Sequence, residues 1–361
     1  MNQRTIGIIG GGQLARMLSM AAARLGFSIV ILDPNADCPA NQVSTRQIVA
    51  QHDDIQALNT FANLCDYATY ESENIPAKSI SYLSTLLPIY PSSKAIEISQ
   101  DRLYEKQFFQ ESGIPTVDFY EISSQESLTK TLNAFQGKGI LKTRRMGYDG
   151  KGQQIYNEND STKNLYASLG NVPLIFERFA TFSCEISIIA ARALNGSICF
   201  YDPIQNTHID GILHQSRVPS PISKKTSFLA YSAMKKVLTK LNYVGILCIE
   251  FFVTEDGKVI ANEMAPRVHN SGHWTEACCT TSQFEQHIRS ITNLPLGNPD
   301  RHSNCVMHNL IGSDIEQYEK WLNCNSSLVH IYGKSKTLPG RKMGHVTQIY
   351  PKHTVSNFLL S

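Results

Sequence analysis

No strong charge of one sign marks this chain: 33 Lys and Arg stand against 31 Asp and Glu, a formal net charge of +2. Such a balance supplies no long-range field for nucleic acid or an anionic membrane surface, so any anion site has to be local. No apolar run approaches the roughly 20 residues of a membrane-crossing helix, which excludes an α-helical membrane protein. Met1 to Thr5 lead into a short apolar run interrupted by glycine, without a secretory hydrophobic region or a small-residue cleavage site. The nine cysteines include no C-x-x-C pair, and only Cys278 and Cys279 adjoin. That pattern suggests reduced, mostly buried thiols and a cytoplasmic protein. Internal repeats and low-complexity segments are absent, and no G-x-x-x-x-G-K-[ST] loop occurs.

Present instead are 42% hydrophobic and 18% charged residues over 361 positions, enough apolar side chain for two or three packed subdomains. The chain opens as a βαβ unit: Ile6-Gly7-Ile8-Ile9, the turn Gly10-Gly11-Gly12, an amphipathic stretch to Gly26, and Phe27 to Asp33. Apolar runs and helical patterns alternate to about Pro91, as in a small open α/β domain. Asp101 to Ser112 reads as a helix capped by Asp101 and ended by Gly113. Beyond Gly137 the texture becomes strands and hairpins, with one helix over Ser227 to Leu241, until Pro295, Gly297 and Pro299 mark a boundary. The expected division is therefore 1–98 as α/β, 99–296 as α+β, and 297–361 as a small β-rich domain.

Three segments carry chemistry. Gly10-Gly11-Gly12-Gln13-Leu14-Ala15 fits the G-x-G-x-x-G/A fingerprint, with Asp33 at the end of the next strand. It could hold an anion on backbone N–H groups at a helix N-terminus, and by itself it also fits a nicotinamide-dependent oxidoreductase or a ligand-free strand-helix turn. The second segment, Lys142 to Gln153, sets Gly147, Gly150 and Gly152 between two strands, with Lys142 at a strand end and Tyr148 and Asp149 among basic residues. A strand-loop-strand flap of this kind suits a nucleoside triphosphate better than it suits a solvated turn.

The third is a hairpin. Ile246 to Val253 and Lys258 to Glu263 flank Asp256-Gly257, a strong two-residue turn signal. If Glu255 pairs with Lys258, then Glu250 faces Glu263. Opposed like charges destabilise a hairpin unless a cation neutralises them, and magnesium bridging to phosphate oxygens would do so. The loop that follows, Pro266 to Trp274, is dense in hydrogen-bonding side chains. Lys334, Arg341 and Lys342 surround a Pro339-Gly340 turn that either clamps a phosphate or is merely solvated.

Taken together, these segments resemble the 5-(carboxyamino)imidazole ribonucleotide synthetase family from Gly7 to about Ile349. Gly11-Gly12-Gln13-Leu14, the 147–153 loop, Asn262 to His273, and Gly340 to His345 carry the resemblance, the third most specifically. It implies an N-terminal Rossmann-like (pre-ATP-grasp) domain, a central ATP-grasp domain, a small C-terminal domain, and a homodimer. It implies the reaction of ATP, bicarbonate and aminoimidazole ribonucleotide through carboxyphosphate in purine biosynthesis, with neither nucleic acid nor membrane as partner.

By the same resemblance, Arg102, Lys142, Asn262, Glu263 and the loop Gly147, Tyr148, Asp149, Gly150, Lys151, Gly152 and Gln153 bind ATP. Glu185 and His208 line the nucleotide site, and Glu177, Arg178, Phe179 and Ala180 form the adenine linker. Glu250 and Glu263 hold magnesium. Gln13, Leu14, Glu71, Asn270, Lys334, Arg341 and Lys342 bind the ribonucleotide, and Tyr148, Asp149, Arg267 and His269 act in catalysis. Glu73, two residues after Glu71, is the alternative to it. Met146 stands where the family commonly has glycine, and Ser361 follows His345 sooner than in many members, short of a terminal helical region. A related ATP-grasp enzyme, such as formate-dependent glycinamide ribonucleotide transformylase, would share the nucleotide half. The 267–273 loop favours the carboxylating family.

Overall fold

Alternating apolar strands near the start pair in parallel because helical crossovers cover both faces. In the computed structural model, which describes residues 4–147, 150–158 and 160–353, they form a four-stranded sheet in the order β3-β2-β1-β4. The strands are β1 (Thr5–Ile9), β2 (Ser28–Leu32), β3 (Arg46–Ile48) and β4 (Tyr67–Tyr70). The Gln13–Arg24 helix buries Leu14, Met17 and Leu18 against this sheet, and its first turn opens toward the rest of the molecule.

A smaller antiparallel sheet follows, built from β5 (Phe119–Ile122), β6 (Gly139–Thr143), β7 (Gln153–Tyr156) and β8 (Leu174–Arg178), ordered β5-β8-β6-β7. The glycine-rich loop joins β6 to β7, as its flanking strands predict. The Asp-capped helix spans Arg102–Glu111, with the Asp101 side chain accepting from the Leu103 amide and Gly113 in the left-handed region at φ +64.

The largest sheet has nine strands: β9 (Cys184–Arg192), β10 (Ile198–Phe200), β11 (Ile204–Ile209), β12 (Ile212–Val218), β13 (Gly245–Val253), β14 (Val259–Ala265), β15 (Ser303–Ile311), β16 (Ser327–Ile331) and β17 (Lys342–Pro351). Its order, β14-β13-β9-β11-β12-β15-β17-β16 with β10 paired to β9 off this path, runs across the expected boundary near 297. The C-terminal strands thus extend the central sheet through β12–β15 pairing. One face packs under the Lys224–Lys240 helix through Met234, Val237 and Leu238. The other shares a core with the N-terminal domain, where Met17, Ile246, Trp274 and Phe284 meet. The three domains therefore converge on one cleft.

The β13–β14 hairpin corrects the expected turn. Val253 faces Val259 and Phe251 faces Ala261, so Glu255 does not pair with Lys258, and continued regularly this register would set Glu250 against Asn262. A bulge leaves Asn262 unpaired and places Glu250 opposite Glu263. The predicted opposition of carboxylates is present, produced by an inserted residue instead of a tight turn.

Candidate active site

The glycine turn after β1 has lost its capacity for an external anion. Gly11 N donates to Asp33 Oδ2 at 2.7 Å, Gly12 N donates to Glu71 Oε1, and Ala15 N donates to Glu71 Oε2 at 2.9 Å. Two internal carboxylates therefore occupy the helix N-terminus that a phosphate would need. This accounts for the fingerprint without a dinucleotide. Glu71 faces the turn, while Gln13 and Leu14 line the cleft beside it. β4 ends at Tyr70, so strand alternation does not relate Glu71 to Glu73. Glu73 lines the cleft, and Arg267 grips it with two N–H groups, Nη2 at 2.9 Å from Oε1. Burial disfavours the Glu73 carboxylate, but Arg267 more than offsets this and holds its pKa below the usual value.

The cleft encloses about 500 Å³ between the small sheet, the large sheet and the glycine turn. On its nucleotide side stand Arg102, Lys142, Gly147, Gly150 and Gln153, with Ile140 and Phe252 as apolar walls. Arg102 Nη1 reaches Glu263 Oε2 at 3.1 Å and Nη2 reaches the Gly147 carbonyl at 3.2 Å. Lys142 Nζ lies 2.7 Å from Glu177 Oε2. Burial would raise the Glu177 pKa, but Lys106 and Lys142 bring it down to about 2. Glu177 thus supports the cation pair from beneath. Arg178 points outward to Asp118 at 2.9 Å, and Phe179 stacks under Lys138 at 4.0 Å, so these linker side chains do not line the cleft, nor does Ala180.

Glu185, His208, Glu250, Asn262 and Glu263 converge on the floor. Burial opposes charge on His208, yet Glu185 at 2.7 Å and the nearby Glu250 lift its pKa above the ordinary histidine value. Glu250 is pushed up to about 7 by burial and by Glu263 opposite. A buried chain, Ser216 to Asn206 at 2.9 Å, Asn206 to Ser187 at 2.5 Å, and Ser187 to Glu250 at 3.3 Å, fixes its orientation. Glu263 goes the other way: burial raises its pKa, but Arg102 and Lys142 outweigh that and lower it.

On the substrate side, His269 Nδ1 lies 2.8 Å from Ser271 Oγ and 3.3 Å from the Ser271 amide, and Nε2 lies 3.8 Å from Glu250 Oε1. Burial and the Arg267 charge push the His269 pKa down to about 3, so the ring is neutral at pH 7. Asn270 exchanges amide bonds with Asn309, 2.9 and 2.8 Å, at the cleft edge. Lys342 lines the cleft, but Lys334 and Arg341 do not. Lys334 Nζ reaches the Lys342 carbonyl at 2.6 Å, and Arg341 Nη1 the Lys336 carbonyl at 2.8 Å. Lys151 and Gly152, in the loop between β6 and β7, lie outside the lining, and Tyr148 and Asp149 lie outside the described residues. Met146, at φ +62, adopts the backbone conformation that favours glycine.

Sequence reasoning missed Glu105 and Lys106, which are 2% and 1% exposed, Glu105 at the cleft wall and Lys106 outside the lining. Two adjacent charged residues on the apolar face of the Asp101-capped helix were the available signal.

Comparison with known proteins shows the family. Residues 3–100 match the ribonucleotide synthetase preATP-grasp domain, 107–284 the ATP-grasp domain, and 305–355 the phosphoribosylaminoimidazole carboxylase C-terminal domain. The N5-carboxyaminoimidazole ribonucleotide synthase of Brucella melitensis is 52% identical over 350 residues, 96% of this chain and 97% of that one. The chain belongs to the N5-carboxyaminoimidazole ribonucleotide synthase family. The family's Bacillus subtilis member is 37% identical, covering 95% of this chain and 90% of its own. The synthetase structure from Thermus thermophilus superposes with a TM-score of 0.89 at 40% identity, over 95% and 93% of the two chains. The Aspergillus clavatus synthase, solved with ADP and 5-aminoimidazole ribonucleotide, has a TM-score of 0.89 at 28% identity over 97% and 95%. Family membership thus covers all three domains.

Proposed function

We infer that this chain catalyses the ATP-dependent carboxylation of 5-aminoimidazole ribonucleotide with bicarbonate, giving N5-carboxyaminoimidazole ribonucleotide, ADP and phosphate in purine biosynthesis. The observation that carries this is one cleft in which the ATP-grasp cations and the Glu73–Arg267 and His269–Asn270 groups of the substrate loop stand together. Arg102 and Lys142 neutralise transferring phosphate, a role suited to fixed cations because phosphoryl transfer is mostly positioning and charge stabilisation. Ile140 and Phe252 offer adenine an apolar slot.

Glu250 and Glu263 fit magnesium: both offer hard oxygen donors, and the raised pKa of Glu250 records a local deficit of positive charge. When bound, the ion would screen phosphate charge. The neutral His269 can donate a ring proton to a developing carboxylate oxygen, and Arg267, locked by Glu73, can orient it. Tyr148 and Asp149 complete the site in this reading, with Asp149 taking the proton released as the substrate amine attacks carboxyphosphate. Gln13, Leu14, Asn270 and Lys342 hold the ribonucleotide, Lys334 and Arg341 support Lys342 at the phosphate end, and Glu73 takes the place assigned to Glu71. Work in the cytoplasm as a homodimer accords with this role.

Steady-state ADP release tests it. Release should require both aminoimidazole ribonucleotide and bicarbonate, and glycinamide ribonucleotide with formate should not replace them. Equal turnover with the latter pair would overturn the reading.

A further inference from the structure

β14 is the free edge of the large sheet, so its outward backbone groups need partners other than a strand. Along a regular edge these groups come from every second residue. Ala261 obeys that rule, its N–H donating to the Pro115 carbonyl at 2.8 Å. Past the bulge the parity changes. Lys106 Nζ donates to the Asn262 carbonyl at 2.7 Å and lies 3.5 Å from the Ala261 carbonyl, so two successive carbonyls face the same side. Glu105 Oε1 then accepts the Met264 N–H at 2.6 Å. Consecutive residues of the Arg102–Glu111 helix therefore engage β14 on both sides of its inserted residue.

The consequence for the cleft follows from strand periodicity. Without the insertion, Glu250 would face Asn262 and the Glu263 side chain would project from the opposite face, since a one-residue slip reverses every side chain beyond it. A bulge on an unpartnered edge has no second strand to enforce it. A buried lysine that needs carbonyl acceptors and a buried carboxyl group that needs an N–H partner supply that enforcement, because neither polar group tolerates being left alone.

We propose that Glu105 and Lys106 are positioning residues that hold the extra residue in β14 and so keep Glu263 opposite Glu250 as a divalent-cation pair. This rests on the reading that Glu250 and Glu263 bind the cation. It assigns the adjacent pair on the helix to the register of the hairpin and not to contact with ATP. Lys106 also lies 3.8 Å from Glu177, so a role through the nucleotide linker is the competing account.

The test uses the full chain with ADP and Mn2+ as probe, free Mn2+ being counted by electron paramagnetic resonance, together with hydrogen exchange at the Met264 amide. Lys106→Met and Glu105→Leu should each weaken Mn2+ binding by at least about tenfold, the usual cost of losing a group that orients a metal ligand. Both should also expose the Met264 amide to exchange. Glu105→Gln keeps an acceptor oxygen and should bind Mn2+ and protect Met264 like the parent. Glu263→Gln serves as the control on the cation reading. If it binds Mn2+ normally, that reading and the proposal fall together. If it loses Mn2+ while Lys106→Met and Glu105→Leu retain it, the pair still binds metal and the positioning claim is wrong. Loss of Mn2+ with Met264 still protected would assign the effect to charge at Glu177, again contradicting the proposal. Should Lys106→Met fail to fold, the contrast between Glu105→Leu and Glu105→Gln decides.

Discussion

Two pairs of carboxylates sit beside glycine-rich or hairpin turns in this molecule, and their surroundings differ in one respect. Asp33 and Glu71 meet three backbone N–H groups at the start of the Gln13–Arg24 helix, so both carboxyl groups are hydrogen-bonded from within the fold. Glu250 and Glu263 face each other across two strands, and Arg102 answers only one of them. A motif that looks like a ligand site can therefore be closed by its own protein, and a hairpin that looks merely structural can be left open. What separates a site from a scaffold here is unmatched charge.

The sharpest way to break this comparison is to neutralise one acid in each pair. Glu263→Gln keeps the shape and removes half of the open pair, so turnover should fall about 100-fold or more while the fold persists, corresponding to several kcal/mol of lost charge stabilisation. Near-parent turnover would mean that the opposed carboxylates are not a cation site. Arg267→Ala comes next. It leaves the half-buried Glu73 without its partner, a loss expected to cost about 2–3 kcal/mol in denaturant unfolding, between the exposed and the fully buried case. A cost below about 1 kcal/mol would mark the pair as solvated.

Much of this contrast was visible in the residues themselves. The Asp101 cap and the flap strands follow from capping and turn chemistry, whereas the facing of Glu250 and Glu263, though expected, is reached through a bulge and not through the expected turn. Three features were not visible. The Asn262 bulge depends on Lys106 and Glu105, which lie far from it in sequence and whose charges suggest solvent, not burial. Likewise, nothing local told that Glu71, and not a phosphate, fills the glycine turn, because that contact closes only when β4 lies beside β1. The shared sheet beyond residue 297 was hidden for a similar reason: β12–β15 pairing joins segments separated by three α-helices and the β13–β14 hairpin.

The region between the two carboxylate pairs offers a smaller effect. His287 Nδ1 accepts the Ile246 amide at 3.1 Å and Nε2 meets Thr69 Oγ1 at 2.8 Å, tying β13 to β4. Burial pushes its pKa down to about 3, so the folded protein holds it neutral. Its contribution to stability is complete above pH ~6.5 and falls by about 1.4 kcal/mol per pH unit below that, because the unfolded chain binds the proton first. His287→Gln should flatten the stability profile between pH ~6.5 and ~4, the range over which a free histidine gains its proton; an unchanged slope would show that the ring titrates freely in the fold. The least effect is expected at the closed pair. Glu71→Gln should cost about 1–2 kcal/mol through a weakened helix N-terminus, with the Michaelis constants little altered. A large rise in the constant for aminoimidazole ribonucleotide would return Glu71 to the substrate site.

Labelled bicarbonate gives the most direct test of the cleft as a carboxylating ligase site. With ATP and aminoimidazole ribonucleotide present, one labelled carboxyl should enter the ribonucleotide for each ADP released, and Glu263→Gln should abolish both together. ADP release without incorporation of label, or incorporation that proceeds without ATP, would contradict the account.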